Sequence, residues 1–293
     1  DIPATRLILD QMNTAVRAQL PPDNSIVSED RLVPGPDDAP AVPIRIYQPA
    51  ERPSVLPALL WIHGGGYVLG NVDGDDLLIR SLVRSVNCVI VAVDYRLAPE
   101  HPFPAPLEDC YAALKWLAAN TAELGVNPER IAIGGASAGG GLTAGLALLT
   151  RDRGAIKLVF QLPIYPMVDD TNLAQPSAEL PDTLLWTRAS NVIGWRSYLG
   201  QEPGGADVSP YAAPLRAEDL RGLPPTCIQV GTLDLFLAED IAYAQRLIAA
   251  DVPTELHVYP GAFHGFDVFA PTAAVSQQFI ADRDAALRRA LHG

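Results

Sequence analysis

A serine, an aspartate and a histidine, each just past a strand-like apolar run, are the residues of this chain best suited to chemistry. Ser137 sits in Gly135-Ala136-Ser137-Ala138-Gly139, Asp234 ends Val230-Gly231-Thr232-Leu233-Asp234, and His264 follows in Pro260-Gly261-Ala262-Phe263-His264-Gly265-Phe266. Upstream lies His63-Gly64-Gly65-Gly66. A serine beside an imidazole base, an acid that orients the imidazole and a glycine run whose amides converge on an anion equip a chain for acyl transfer through a covalent serine ester. In this reading Ser137 is the nucleophile, His264 the base and Asp234 the orienting acid. The N–H groups of Gly65, Gly66 and Ala138 form the oxyanion hole.

Each assignment has rivals in the same sequence. A strand, a glycine-rich turn and a helix also describe a dinucleotide-binding fingerprint, and Tyr111-Ala112-Ala113-Leu114-Lys115 has the Y-x-x-x-K pattern of short-chain dehydrogenases. There, however, the glycine turn precedes the tyrosine, and Gly134, Ala136 and Gly139 fail the strict G-x-G-x-x-G spacing. Tyr111 and Lys115 are therefore expected on a half-exposed helix face. His63 is expected to shape its loop, because its backbone is committed to the turn. His257 lies within a strand, His101 in a proline-rich turn and His292 at the end of the sequence. Glu239 and Asp240 follow Asp234 closely but should already lie on the next helix. A lone aspartate after a strand is ordinarily a turn or cap residue; it is the ordered set that singles out Asp234.

The elements that must hold these residues are legible from periodicity. Apolar runs predict strands near Ile26–Leu32 and Val42–Gln48, then at Ala58–Ile62, Val89–Asp94, Ile131–Gly134, Val159–Ile164, Thr226–Val230 and Thr254–Tyr259. Helical patterns fall at 3–20, Asp75–Val86, Leu107–Ala119, Ala138–Thr150, Leu237–Ala250 and Ala273–Leu291, the first with Ile8, Met12, Val16 and Leu20 on one face. Buried strands alternating with helices indicate an α/β fold with a mostly parallel sheet covered on both faces. In such a sheet catalytic groups gather at the carboxyl ends of strands, where Ser137, Asp234 and His264 all fall. Between about Tyr165 and Pro214 no clean strand appears, and the segment carries Trp186, Trp195 and Tyr198. The expected organisation is one domain, 1–293, with a cap made from about 1–24 and about 165–214.

Composition mainly excludes. The chain has 293 residues, 48% of them hydrophobic, ample for a single large core. A formal net charge of -13 opposes binding to nucleic acid and to anionic membrane surfaces, and neither is expected as a partner. Cys88, Cys110 and Cys227 form no C-x-x-C pair and read as buried small hydrophobes rather than metal ligands, as in a reducing, cytoplasmic setting. No apolar run approaches the roughly 18 residues of a membrane span, and no signal peptide is visible at Asp1.

These residues resemble the hormone-sensitive-lipase-like carboxylesterases of the α/β-hydrolase fold. The resemblance covers nearly the whole chain: His63-Gly64-Gly65-Gly66, Asp94-Tyr95-Arg96-Leu97-Ala98-Pro99-Glu100, Phe103-Pro104-Ala105, the Ser137 turn and His264-Gly265-Phe266. Asp207-Val208-Ser209-Pro210-Tyr211-Ala212-Ala213-Pro214 is similar to the bacterial branch containing heroin esterase and related acetylesterases. The resemblance implies an eight-stranded sheet, a helical cap, no cofactor or metal, an Arg96–Glu100 ion pair, and dimers through an edge strand, Thr254–Tyr259. It also implies hydrolysis of small uncharged esters with short acyl chains, failing in acid as His264 protonates. Amidase or lactonase action on the same machinery is the nearest alternative, and a non-catalytic binding protein of the same fold the more distant one. The chain departs from the family pattern at Ala136, where Asp or Thr is common, at Leu235, where proline is usual, and at Ala238, where an acidic residue is common, which removes polar support around the serine turn and the acid loop.

Overall fold

The computed structural model describes residues 1–19, 23–36, 39–52, 55–172 and 186–293. Its centre is an eight-stranded sheet in the order β1-β2-β4-β3-β5-β6-β7-β8. The strands are β1 (Ile26–Val33), β2 (Val42–Pro49), β3 (Leu56–Ile62), β4 (Val89–Val93), β5 (Val126–Ala136), β6 (Phe160–Ile164), β7 (Thr226–Leu233) and β8 (Thr254–Phe263). β2 runs antiparallel to β1 and β4, and every pairing from β4 across to β8 is parallel. All residues of β3, β4 and β6 are buried, as strands covered on both faces must be. The α/β-hydrolase sheet expected from the sequence is thus present, with most strand ends within two residues of their expected positions.

Helices cover both faces. α2 (Asp76–Val86) and α9 (Ala274–His292) enclose one core, built around Ile79, Leu82, Phe279 and Leu287 against Leu59, Trp61 and Leu162. α3 (Ala105–Ala119), α5 (Ala138–Arg153) and α7 (Leu237–Ala249) enclose the other, with Leu107, Leu142, Leu146 and Tyr243 against Leu60, Ile62 and Ile133. Three further helices are α1 (Ile2–Gln19), α4 (Thr121–Leu124) and α6 (Arg188–Leu199), and a single turn, α8 (Phe266–Phe269), follows His264. All three cysteines are buried and free. No helix among the described residues is long and apolar enough to cross a membrane.

Three local expectations are corrected. α1 does not dock by its apolar face: no residue of it is buried, and Ile8, Met12 and Val16 are about half exposed. Its polar edge docks instead. Arg6 donates to the carbonyls of Val68 and Ala98 and pairs with Glu100, Asn71 donates to Asp10, and Arg17 pairs with Asp73. Leu20 lies outside the described residues. Second, Arg96 and Glu100 do not pair with each other. Asp109 on α3 is fully buried and takes the Arg96 guanidinium at 2.7 and 2.8 Å, whereas Glu100 is exposed and faces Arg6 on α1. A buried carboxylate holds the available cation more firmly than a solvated one does. Third, Tyr111 is buried under the Arg153 guanidinium, 4.2 Å from its ring centroid, and only Lys115 is exposed.

Candidate active site

β5 runs straight into α5 through a single residue, Ser137, whose φ of 60° and ψ of -119° leave it outside the ordinary range of an L-residue. Such a turn needs room on both sides. A Cβ on Gly139 would lie 2.1 Å from the Ile62 carbonyl oxygen, and one on Gly135 would lie 2.4 Å from the same atom. The backbone amide of Ser137 donates to the Ile164 carbonyl, and its own carbonyl accepts from Gly141 and Met167. The turn is therefore fastened to β6 as well as to α5, and the serine hydroxyl stands at the carboxyl edge of the sheet.

His264 is brought to that hydroxyl by the turn after β8. Its Nε2 lies 2.9 Å from Ser137 Oγ, and its Nδ1 lies 2.8 Å from Asp234 Oδ2. The other oxygen of Asp234 accepts the backbone N–H of Phe236 at 3.0 Å, which fixes the rotation of the carboxylate. All three side chains are buried, with 3–7% of each residue exposed, so water competes little for these contacts. Two aromatic rings hold the imidazole edge-on: Tyr165 at 4.7 Å and Phe236 at 5.1 Å. The Tyr165 hydroxyl donates to Asp267, whose carboxyl burial pushes above its ordinary value.

The glycine run after β3 lies beside the serine turn: a Cβ on Gly64 would be 3.4 Å from that of Ser137. Gly65 and Gly66 have φ of 117° and 61°, and a Cβ on Gly65 would meet the Leu69 carbonyl oxygen at 2.1 Å. The amides of Gly65, Gly66 and Ala138 donate to no protein acceptor among the described residues. His63 shapes this loop, as expected. Its Nδ1 lies 2.8 Å from the Gly64 carbonyl oxygen, its ring stacks on Tyr95 at 4.2 Å, and burial lowers its pKa to about 4, keeping it neutral. From above, Trp186 lies against Gly66 so closely that a Cβ there would be 2.0 Å from the indole. Gly194 of α6 packs on the Gly66 carbonyl beside it.

The sequence reading passed over several residues. Glu239, expected only as a helix residue, is buried in the first turn of α7 and accepts from the amides of Val168 and Asp169 and from Asn172. Asn172 also donates to the Leu235 carbonyl, so the acid loop and the segment after β6 are tied together. An acidic residue just past Asp234 with no basic residue one turn away was the available signal. Tyr165 and Phe236 carried none beyond being aromatic at strand ends. Of the departures from the family pattern, Leu235 is buried and Ala238 is exposed. The Phe236 amide supplies polar support to Asp234 without help from either side chain.

With a serine–histidine–aspartate chain of hydrogen bonds at the carboxyl edge of a hydrolase-like sheet, the class can be stated: the chain belongs to the α/β-hydrolase fold family, whose model matches residues 59–268. The carboxylesterase branch follows from its relatives. It is 40% identical to carboxylesterase NlhH of Mycobacterium tuberculosis over 271 residues, which is 90% of this chain and 83% of that protein. It is 37% identical to esterase LipI of the same organism, covering 98% and 92%. Among solved structures, a bacterial heroin esterase superposes with a TM-score of 0.95 at 43% identity, covering 100% of this chain and 93% of the other. Esterase LipW of Mycobacterium marinum gives 0.91 at 37%, covering 100% and 90%.

Proposed function

We propose that this carboxylic ester hydrolase cleaves small, uncharged esters of short acyl chains through an acyl-enzyme on Ser137. The observation that carries this reading is the continuous contact from Asp234 through His264 to Ser137, at 2.8 and 2.9 Å. Ser137 Oγ attacks the ester carbonyl carbon as its proton passes to His264 Nε2, and Asp234 stabilises the imidazolium. The oxyanion lies against the amides of Gly65, Gly66 and Ala138, each worth on the order of 3 kcal/mol in the transition state. The imidazolium protonates the departing alkoxide, and water, deprotonated by the same imidazole, then releases the acid and restores Ser137.

In this reading the cap is assigned to about 1–24 and 165–214, of which 20–22 and 173–185 lie outside the described residues. Its support is the packing of Trp186 and Gly194 on Gly66 and the anchoring of Arg6 on the carbonyls of Val68 and Ala98. Trp186 fills space beside the oxyanion donors, where the acyl group of a bound ester would extend, and so favours short chains. The outer side of β8, at the end of the sheet, is the edge through which two copies would pair.

Hydrolysis of p-nitrophenyl acetate, butyrate, octanoate and palmitate tests both claims. Turnover should be highest on acetate and butyrate and absent on palmitate. No turnover of any of the four by folded protein would overturn the proposal. Trp186→Ala should move the preference toward octanoate by opening the acyl side, with acetate turnover falling less than tenfold, an effect on the order of 1 kcal/mol. An unchanged chain-length profile would remove Trp186 as the determinant.

A further inference from the structure

On the opposite side of the acid and base loops, toward α9, three donors of different chemistry converge. Cys227 of β7 lies in register with Glu255 of β8, and His257 follows two residues along the same strand. Side chains at i and i+2 of a strand share a face, as do directly opposed residues of neighbouring strands. The Cys227 sulfur, a Glu255 carboxylate oxygen and a His257 ring nitrogen consequently all lie within 4.8 Å of one another. We propose that Cys227, Glu255 and His257 form a binding site for a borderline divalent cation of the zinc class.

The donor set fits that class. Thiolate, imidazole and carboxylate are the three protein ligands zinc uses, at about 2.0–2.3 Å, with water free to take the fourth tetrahedral position. The donors need to close by about an ångström to reach that geometry, a movement side chains can make on a fixed backbone. A second observation comes from the far side of the imidazole. His257 Nε2 faces Glu255 Oε2 at 3.4 Å, and its Nδ1 faces Asp282 Oδ2 of α9 at 3.9 Å. A ligating histidine characteristically directs its other ring nitrogen at a carboxylate, which sets the tautomer and strengthens the ligand. Asp282 is itself held by Tyr259 and Gln278, and the His257 ring runs parallel to that of Tyr259.

The other group on this face is Arg289 of α9, which holds both oxygens of Glu255 at 2.6 and 2.7 Å. Its side chain is 59% exposed, so it can withdraw into water as the cation takes its place. The Cys227 thiol would release its proton as the sulfur–metal bond forms. A dication with one thiolate and one carboxylate is neutral, a condition the partly buried site tolerates. Binding would cross-link β7 and β8, the strands whose following loops carry Asp234 and His264.

Cobalt reports the site directly. Protein stripped with chelator and titrated with Co2+ should bind one equivalent and develop a thiolate-to-cobalt charge-transfer band, which Zn2+ then removes. Cys227→Ser should abolish the band. Because that residue is buried, His257→Gln and Glu255→Gln, on exposed or half-exposed positions, provide the second arm. Each should weaken binding at least tenfold, and Asp282→Asn by about tenfold. Cobalt held at the Asp234–His264 pair has no thiol and gives no such band. Absence of the band, its survival in Cys227→Ser, or unchanged affinity in His257→Gln would each overturn the proposal.

Discussion

Replacing Ser137 with alanine should lower kcat on p-nitrophenyl acetate by about six orders of magnitude, the scale found when a serine nucleophile alone is removed. The expectation rests on a single contact, since no other hydroxyl among the described residues lies within hydrogen-bond distance of His264 Nε2. The residual rate would come from the amides of Gly65, Gly66 and Ala138 and from substrate binding, neither of which the substitution touches. Alanine keeps the Cβ and the backbone bonds from Ser137 to Ile164, Gly141 and Met167, so the fold should stand. Thermal unfolding within a few degrees of the parent, beside lost turnover, is the expected pair of results. Parent-level turnover by the variant would remove Ser137 from the mechanism.

Asp234→Asn should cost about four orders of magnitude while leaving the fold intact. The size of the effect follows from how the carboxylate is held. Oδ1 accepts the Phe236 amide, so the oxygen of the new carboxamide is drawn to that position and its NH2 group is left facing His264 Nδ1. Nδ1 must then accept a hydrogen bond rather than donate one, and Nε2 carries the hydrogen. An imidazole in that tautomer donates to Ser137 and cannot take its proton. Steady-state kinetics should show the loss in kcat with KM little changed, because Asp234 does not touch substrate. Loss of less than about tenfold would mean that the acid is supplied from elsewhere. Asp240, six residues on, is the candidate: its buried oxygens have no protein partner among the described residues, whereas Glu239 is already held by Val168, Asp169 and Asn172.

The sheet and the Ser137–Asp234–His264 contacts were legible because each depends on short-range pattern. Buried parallel strands read as unbroken apolar runs, and a glycine on each side of a serine between strand and helix has few explanations besides a tight crossing. What could not be read depends on orientation. The apolar stripe of α1 was visible, but Arg6 meets two fixed carbonyls and Glu100, so the polar edge docks and the stripe faces outward. Arg96 and Glu100, four apart, made a natural pair until the buried Asp109, thirteen residues on from Arg96, claimed the guanidinium. α6 was missed because its amphipathic signal is weak. Its buried positions, Asn191, Gly194, Trp195 and Tyr198, keep the helical i, i+3, i+4, i+7 spacing, but an asparagine and a glycine occupy two of them, so no apolar stripe stands out in the sequence. Tyr165 and Phe236 gain their place beside His264 only through the convergence of β6, β7 and β8.

The conformation of Ser137 has an evolutionary side. A non-glycine residue held at φ 60°, ψ -119° costs the folded state on the order of 1–3 kcal/mol, and glycine at the same position would be free of most of it. Strain at this position is therefore relieved by a residue without a hydroxyl, although glycine gives back part of the gain through its larger entropy loss on folding. If Ser137 is the nucleophile proposed, drift toward stability alone would erase the site at its first residue, and turnover is what keeps a serine there.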